Sequence, residues 1–291
     1  MKIAITGAGG QLGYDLKRVL IPMHEVIAWN KEQLDITNEQ EVAQMLLAAR
    51  PEVVIHSAAY TNVDKAEMES ERAYEVNAMG ALHIAKACEE IGAKLVYVST
   101  DYVFDGTKGA PYTEADTPNP SNVYGHSKLL GEKFVSLSCS KHFIVRTSWL
   151  YGKHGTNFVT KVIEKALAGG PLTIVDDQWG SPTYCLDLAI FLRELIDTEL
   201  YGLYHASNEG ECSRYEFAQQ ILLAAGLSQV SLLPVLTSDC PPAPAVRPMY
   251  SAFAHQAIAN NGLTPLRDWQ SALHFFLQLD YYDPALLKKK V

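Results

Sequence analysis

The sequence predicts an α/β protein with a doubly wound parallel sheet, followed by a smaller C-terminal α/β domain. Three observations predict it. Short apolar runs alternate with helical patterns through the first 150 residues, which is the signature of βαβ units. A glycine-rich turn follows the first of those runs directly, and the rhythm loosens after about residue 150. The expected division is therefore a dinucleotide-binding domain over 1–150 and a substrate-binding domain over 151–291, with elements interleaved across the boundary.

The elements follow in order. Lys2–Thr6 reads as a strand, and Gln11–Leu20 as a helix that Pro22 ends. Glu25–Trp29 is a second strand, with a helix near Glu39–Ala49. Val53–Ser57 is a third strand, and Glu69–Ile91 contains a long helical segment. Lys94–Ser99 is the fourth strand, Tyr124–Leu137 is helical, and His142–Arg146 is a further strand. Right-handed crossovers would bring the C-terminal ends of all these strands to one rim, where ligands bind. In the second half, Asn157–Leu167 and Arg214–Ala225 look helical, Pro171–Val175 and Leu203–Ala206 look like short strands, and Pro284–Val291 reads as a frayed end.

Composition narrows the function. The chain has 291 residues, 48% hydrophobic and 20% charged, ordinary for a globular protein. Its formal net charge is −9, and its one basic block is Lys288-Lys289-Lys290, so nucleic acid is not an expected partner. A nucleotide ligand remains compatible, because helix N-termini and a few local cations suffice for phosphates. The five cysteines are scattered without a CxxC pair, and nine histidines show no metal-ligand spacing, so neither a disulfide framework nor a metal site is expected. Met1 leads straight into Ile3-Ala4-Ile5, and no run reaches the ~18 apolar residues of a membrane helix. A cytoplasmic protein without membrane association is the expectation.

Thr6-Gly7-Ala8-Gly9-Gly10-Gln11-Leu12-Gly13 ends the first strand and opens the first helix. Glycines 7, 10 and 13 permit a tight turn, close approach of backbone to a pyrophosphate, and close helix–strand packing. The helix N-terminus then offers free N–H groups and a positive dipole end. At the end of the second strand, an acidic residue would bind a ribose 2′-hydroxyl and repel a 2′-phosphate. This chain has Asn30-Lys31 there, which tolerates or favours NADP(H); a merely solvated Lys31 leaves NADH open. Asp35-Ile36 lies a few residues on, within range of an adenine.

Tyr124 and Lys128 stand four residues apart, on one face of the expected helix. Lys128 would reach a cofactor ribose and favour the tyrosinate form of Tyr124 by its charge. Tyr124 would then deliver a proton to a substrate carbonyl oxygen as hydride reaches its carbon. Thr100, at the end of the fourth strand, would hold the same oxygen. The alternative is a surface Tyr–Lys pair and a threonine cap. Trp149, at a strand end, is suited to pack on a sugar or base. His126 reads as solvated, and Asn77 either relays through water to Lys128 or bonds backbone as a buried amide.

TGxxGxxG near the N-terminus with YxxxK resembles the extended short-chain dehydrogenase/reductases, a Rossmann family. More closely, His56–Glu67, Ser99–Gly106, Arg146–Tyr151, Asp177–Thr183 and Arg247-Pro248 resemble the dTDP-4-dehydrorhamnose reductase family, from Met1 to about residue 275. That resemblance implies reduction of a dTDP-linked 4-keto sugar, dTDP-4-dehydro-L-rhamnose, with NADPH or NADH. It implies Thr100, Tyr124 and Lys128 as the catalytic triad. Gly10, Gln11, Leu12, Asn30, Asp35, Ile36, Ala58, Ala59 and Tyr60 would be cofactor contacts. Thr100, Asp101 and Trp149 would contact the sugar nucleotide, with Asn157 and Arg247 near its diphosphate. Asn30 departs from the acidic residue often found there. The resemblance also implies a homodimer and an Mg²⁺ ion, although no matching carboxylate cluster is visible in the C-terminal half. An epimerase or dehydratase of the same fold, or a non-catalytic regulatory subunit, would share much of this pattern. Dehydration, however, calls for an Asp-Glu pair after Thr100, where this chain has Asp101-Tyr102.

Overall fold

The computed structural model describes residues 1–281; the expected frayed end, 284–291, lies outside them. Strands β1 (Lys2–Thr6), β2 (Glu25–Trp29), β3 (Val53–His56), β4 (Lys94–Thr100), β5 (His142–Thr147) and β10 (Gly202–His205) form one sheet. Its order is β2-β1-β3-β4-β5-β10, and every pairing is parallel. The direction of winding reverses between β1 and β3, which opens a crevice beyond their C-terminal ends.

The strands are apolar throughout because both faces are covered. Ile3, Ile5, Val53, Ile55, Val96, Val98, Phe143 and Val145 point to one face, under helices α1 (Gln11–Leu20) and α8 (Cys185–Ile196). Ala4, Val54, Leu95, Tyr97 and Ile144 alternate to the other, under α2 (Glu39–Ala49), α5 (Gly80–Ile91) and α6 (Val123–Ser138). Period-two alternation thus feeds two cores from one set of strands.

A third core lies in the C-terminal half. It gathers Tyr151, Val159, Phe217, Trp269 and Phe276 from α7 (Phe158–Ala168), α9 (Arg214–Ala224), α11 (Trp269–Phe275) and neighbouring segments. Three two-stranded pairs border it: β6 (Leu150–Tyr151) with β9 (Thr183–Tyr184), β7 (Leu172–Val175) with β12 (Leu232–Val235), and β8 (Trp179–Gly180) with β11 (Cys212–Ser213). Between them, α8 and β10 return to the main sheet, while α10 (Gln256–Asn260) sends Ile258 into the α1/α8 core.

The long helical segment expected within Glu69–Ile91 is present and carries a π-turn: α4 (Ser70–Tyr74) runs through Glu75–Met79 into α5, with α3 (Val63–Met68) before it. The π-turn buries Asn77, whose side-chain oxygen accepts from Tyr60 N at 2.8 Å while Nδ2 donates to Tyr60 O and Ser127 Oγ.

Candidate active site

The cleft at the switch point has a volume of about 1070 Å³. Its floor is the glycine turn. Gly7 has φ +74°, and a Cβ there would sit 2.6 Å from Ala58 N, so the turn presses on the end of β3. A Cβ on Gly13 would meet Gly7 O at 2.4 Å, which is how α1 packs tightly onto β1. Gly10 is the N-cap of α1 and brings no side-chain cap, so the first-turn N–H groups have no side-chain partner there. This cradle fits a pyrophosphate.

Gly10, Gln11 and Leu12 line the cleft from the turn; Asn30, Lys31, Asp35 and Ile36 line it after β2; Ala58, Ala59 and Tyr60 line it after β3. Asn30 and Gln33 exchange backbone-to-side-chain hydrogen bonds at 3.0 Å, fixing the turn after β2. Asp35 accepts from Thr37 N and Oγ1, and those bonds hold its carboxyl below the usual carboxylate range.

The far end of the cleft carries Thr100, Asp101, Tyr124, Lys128 and Trp149. Asn122 caps α6 by accepting from Gly125 N at 2.8 Å. Gly125 is needed because a Cβ there would lie 2.1 Å from Tyr102 O, so α6 crosses hard against the end of β4. That contact brings Tyr124 beside Thr100. Tyr124 is half-buried; burial raises its phenol above 10, with Asp101 raising it further, while the neighbouring Thr100 hydroxyl works the other way. The phenol is therefore protonated at neutral pH.

Lys128 is 2% exposed, donates to Val98 O at 2.7 Å and lies 4.0 Å over the Tyr97 ring. Loss of hydration lowers its ammonium from 10.5 to about 7, opposed by the charge of Glu132. Within the protein the neighbour that lowers Tyr124 is the Thr100 hydroxyl, and Lys128 donates to the Val98 carbonyl. Glu132 is itself clamped by Arg146 at 2.7 and 2.9 Å and by Ser99 Oγ, all buried. His126 is exposed, as expected.

Asp101 is buried, accepts from Thr100 Oγ1 at 3.0 Å and from Ser251 Oγ at 2.7 Å, and burial pushes it up to about 6. Thr100 has one hydroxyl proton, so a substrate oxygen competes with Asp101 for it. Thr147 Oγ1, another lining group, is buried without a hydrogen-bond partner. Trp149 adopts φ +46°, rare for an aromatic residue, with its ring packed on Gly180 so closely that a Cβ there would lie 2.6 Å from the ring.

Two expected substrate contacts sit differently. Asn157 lines the cleft but on the side of the glycine turn: it caps α7 and donates to Gln11 Oε1 and Gly152 O. Arg247 is absent from the main cleft; it pairs with Asp64 at 2.7 Å and lines a smaller adjoining cavity. Arg214, not singled out from sequence, lines both cavities. Its position at the start of a helix, 65 residues beyond Trp149, carries no local motif. Among the described residues no group of three or more His, Cys, Asp or Glu is placed to hold a metal ion. No helix among them is long and apolar enough to cross a membrane.

Fold and site define an oxidoreductase of the extended short-chain dehydrogenase/reductase class, with a dinucleotide cradle at one end of the cleft and a Thr–Tyr–Lys group at the other. The chain belongs to the RmlD substrate binding domain family, whose model matches residues 1–281. It is 42% identical over 278 residues to the spore coat polysaccharide biosynthesis protein SpsK of Bacillus subtilis, covering 95% of this chain and 97% of that protein. It is 42% identical over 276 residues to the dTDP-4-dehydrorhamnose reductase of Mycolicibacterium smegmatis, covering 94% and 84% respectively. Among solved structures, dTDP-4-dehydrorhamnose reductase from Bacillus anthracis in complex with NADP superposes with a TM-score of 0.93 at 46% identity, covering 95% of this chain and 98% of that one.

Proposed function

We propose that this protein reduces dTDP-4-dehydro-L-rhamnose to dTDP-L-rhamnose with NADPH, in the cytoplasm. The observation that carries the reading is the placement of Thr100, Tyr124 and Lys128 in the same cleft as an uncapped, glycine-lined helix start. The relatives that match along nearly the whole chain, one of them bound to NADP, support the choice of substrate and cofactor.

Gly7, Gly10 and Gly13 would hold the pyrophosphate of NADPH, with Asn30 and Lys31 lining the cleft for its adenosine end, and the bound cofactor would supply the hydride. Lys31 favours a 2′-phosphate, and no acidic side chain occupies position 30 to repel one. Thr100 orients the sugar's C4 oxygen by turning its hydroxyl from Asp101. Tyr124 gives its proton to that oxygen as negative charge develops there. The raised phenol suits this direction, because reduction needs a tyrosine that is still protonated at pH 7. Lys128, in its ammonium form, would hold the cofactor ribose and offset the charge left on the Tyr124 oxygen. Trp149 packs on the sugar nucleotide, and Asp101, bonded to Thr100 and Ser251, shapes the wall beside it.

The test is product formation. With NADPH and dTDP-4-dehydro-L-rhamnose, loss of reduced-nicotinamide absorbance should match dTDP-L-rhamnose formed, one for one. Absence of oxidation with either NADPH or NADH would defeat the reading.

A further inference from the structure

Arg214 is a cation with no carboxylate in ion-pair contact among the described residues. Its guanidinium lies 3.5 Å from the Trp149 ring centroid and 5.2 Å from that of Phe158. Stacking on two rings leaves the edge of the guanidinium, with its N–H fork, as the polar face. Among the described residues no carboxylate stands within 4.0 Å of it, whereas its neighbour Arg247 is neutralised by Asp64 at 2.7 Å. Asp101, an electrostatic neighbour lining the same cleft, takes its hydrogen bonds from Thr100 and Ser251 instead. An arginine shielded by aromatic rings and without a carboxylate in direct contact gains from a ligand that brings negative charge to its fork.

Position says what kind of ligand. Arg214 lines both the main cleft, near Thr100 and Tyr124, and the adjoining cavity of about 370 Å³ bordered by Phe158, Ile174 and Val175. A molecule that reaches Tyr124 with a sugar and continues into the second cavity passes its central linkage across Arg214. We propose that Arg214, held on Trp149, binds the diphosphate of the nucleotide-sugar substrate and is the residue that selects a diphosphate-linked sugar over a free one. The proposal rests on the nucleotide-sugar reading above. It places the charge-reading role on Arg214 rather than on Arg247, whose charge Asp64 already takes up. The fork matches two phosphate oxygens at once, which a lysine cannot do.

The probe is dTDP itself, titrated calorimetrically into wild type, Arg214→Met and Arg214→Lys, with thymidine and NADPH titrated into the same samples. The expected result is a 10- to 100-fold weaker dTDP affinity in Arg214→Met, the range of charge-assisted bidentate bonding. Arg214→Lys should recover part of it. Thymidine and NADPH should bind all three alike, which also reports that the variants are folded. In turnover, KM for the sugar nucleotide should rise while kcat stays within a few-fold. Equal dTDP affinity in wild type and Arg214→Met overturns the assignment and leaves the reductase reading standing. A wild type that binds NADPH but not dTDP overturns both.

Discussion

Replacing Lys128 by methionine should change how stability depends on pH, in a way the structure fixes in sign and size. The ammonium is 2% exposed, and burial lowers it from 10.5 to about 7. A displacement of that size corresponds to ~5 kcal/mol of differential interaction at ~1.4 kcal/mol per unit. The folded value lies below the unfolded one. Between about pH 7 and 10.5 the unfolded chain therefore holds a proton that the folded protein has lost, and wild-type stability rises with pH relative to a variant without the group. The expected relative slope is ~1.4 kcal/mol per pH unit, or ~2 kcal/mol between pH 7.5 and 9. Urea unfolding of wild type and Lys128→Met at those two pH values measures it. Parallel stability curves would refute the burial argument, whatever the variant's absolute stability. The same ionisation predicts that kcat/KM of wild type falls as pH rises through about 7, because the ammonium form is lost in the free enzyme.

Two further substitutions test the frame around the site. Gly13→Ala puts a Cβ 2.4 Å from Gly7 O and 2.7 Å from Ala8 Cα, both backbone atoms, so α1 must lift from the turn. A loss of ~1–3 kcal/mol in stability and a more than tenfold weaker NADPH affinity are expected, read by thermal unfolding and a binding titration. Glu132→Ala leaves Arg146 buried without its carboxylate and should cost about 3–5 kcal/mol in denaturant unfolding.

Much of this was legible in the sequence because the signals are local. Gln11–Leu20 and Lys2–Thr6 were readable to the residue from periodicity and the flanking glycines and proline. The turn chemistry of Gly7 and Gly13 and the i, i+4 spacing of Tyr124 and Lys128 likewise survive folding unchanged. What could not be read depends on distant partners. Helix α8 escaped notice because nine of its residues are buried, leaving little polar contrast to mark a face. The π-turn at 75–79 is set by Asn77 reaching back to Tyr60 and across to Ser127, contacts that span 17 and 50 residues. The spacing sets Lys128 four residues from Tyr124 but carries no sign of Val98 O, the Tyr97 ring and Glu132, which surround its ammonium. Arg247 and Arg214 could not be sorted without knowing that Asp64 faces one and Trp149 the other.

In the proposed reaction Tyr124 hands its proton to a sugar-bound oxygen during reduction. Tyr124→Phe removes that proton and leaves the ring in place against Tyr102, 5.7 Å away in wild type. The decisive measurement is kcat for NADPH oxidation with saturating dTDP-4-dehydro-L-rhamnose, in wild type and Tyr124→Phe, alongside NADPH affinity. A fall of ~10²-fold or more with unchanged NADPH affinity is predicted, the scale of general acid catalysis. A variant that turns over at the wild-type rate would contradict the account.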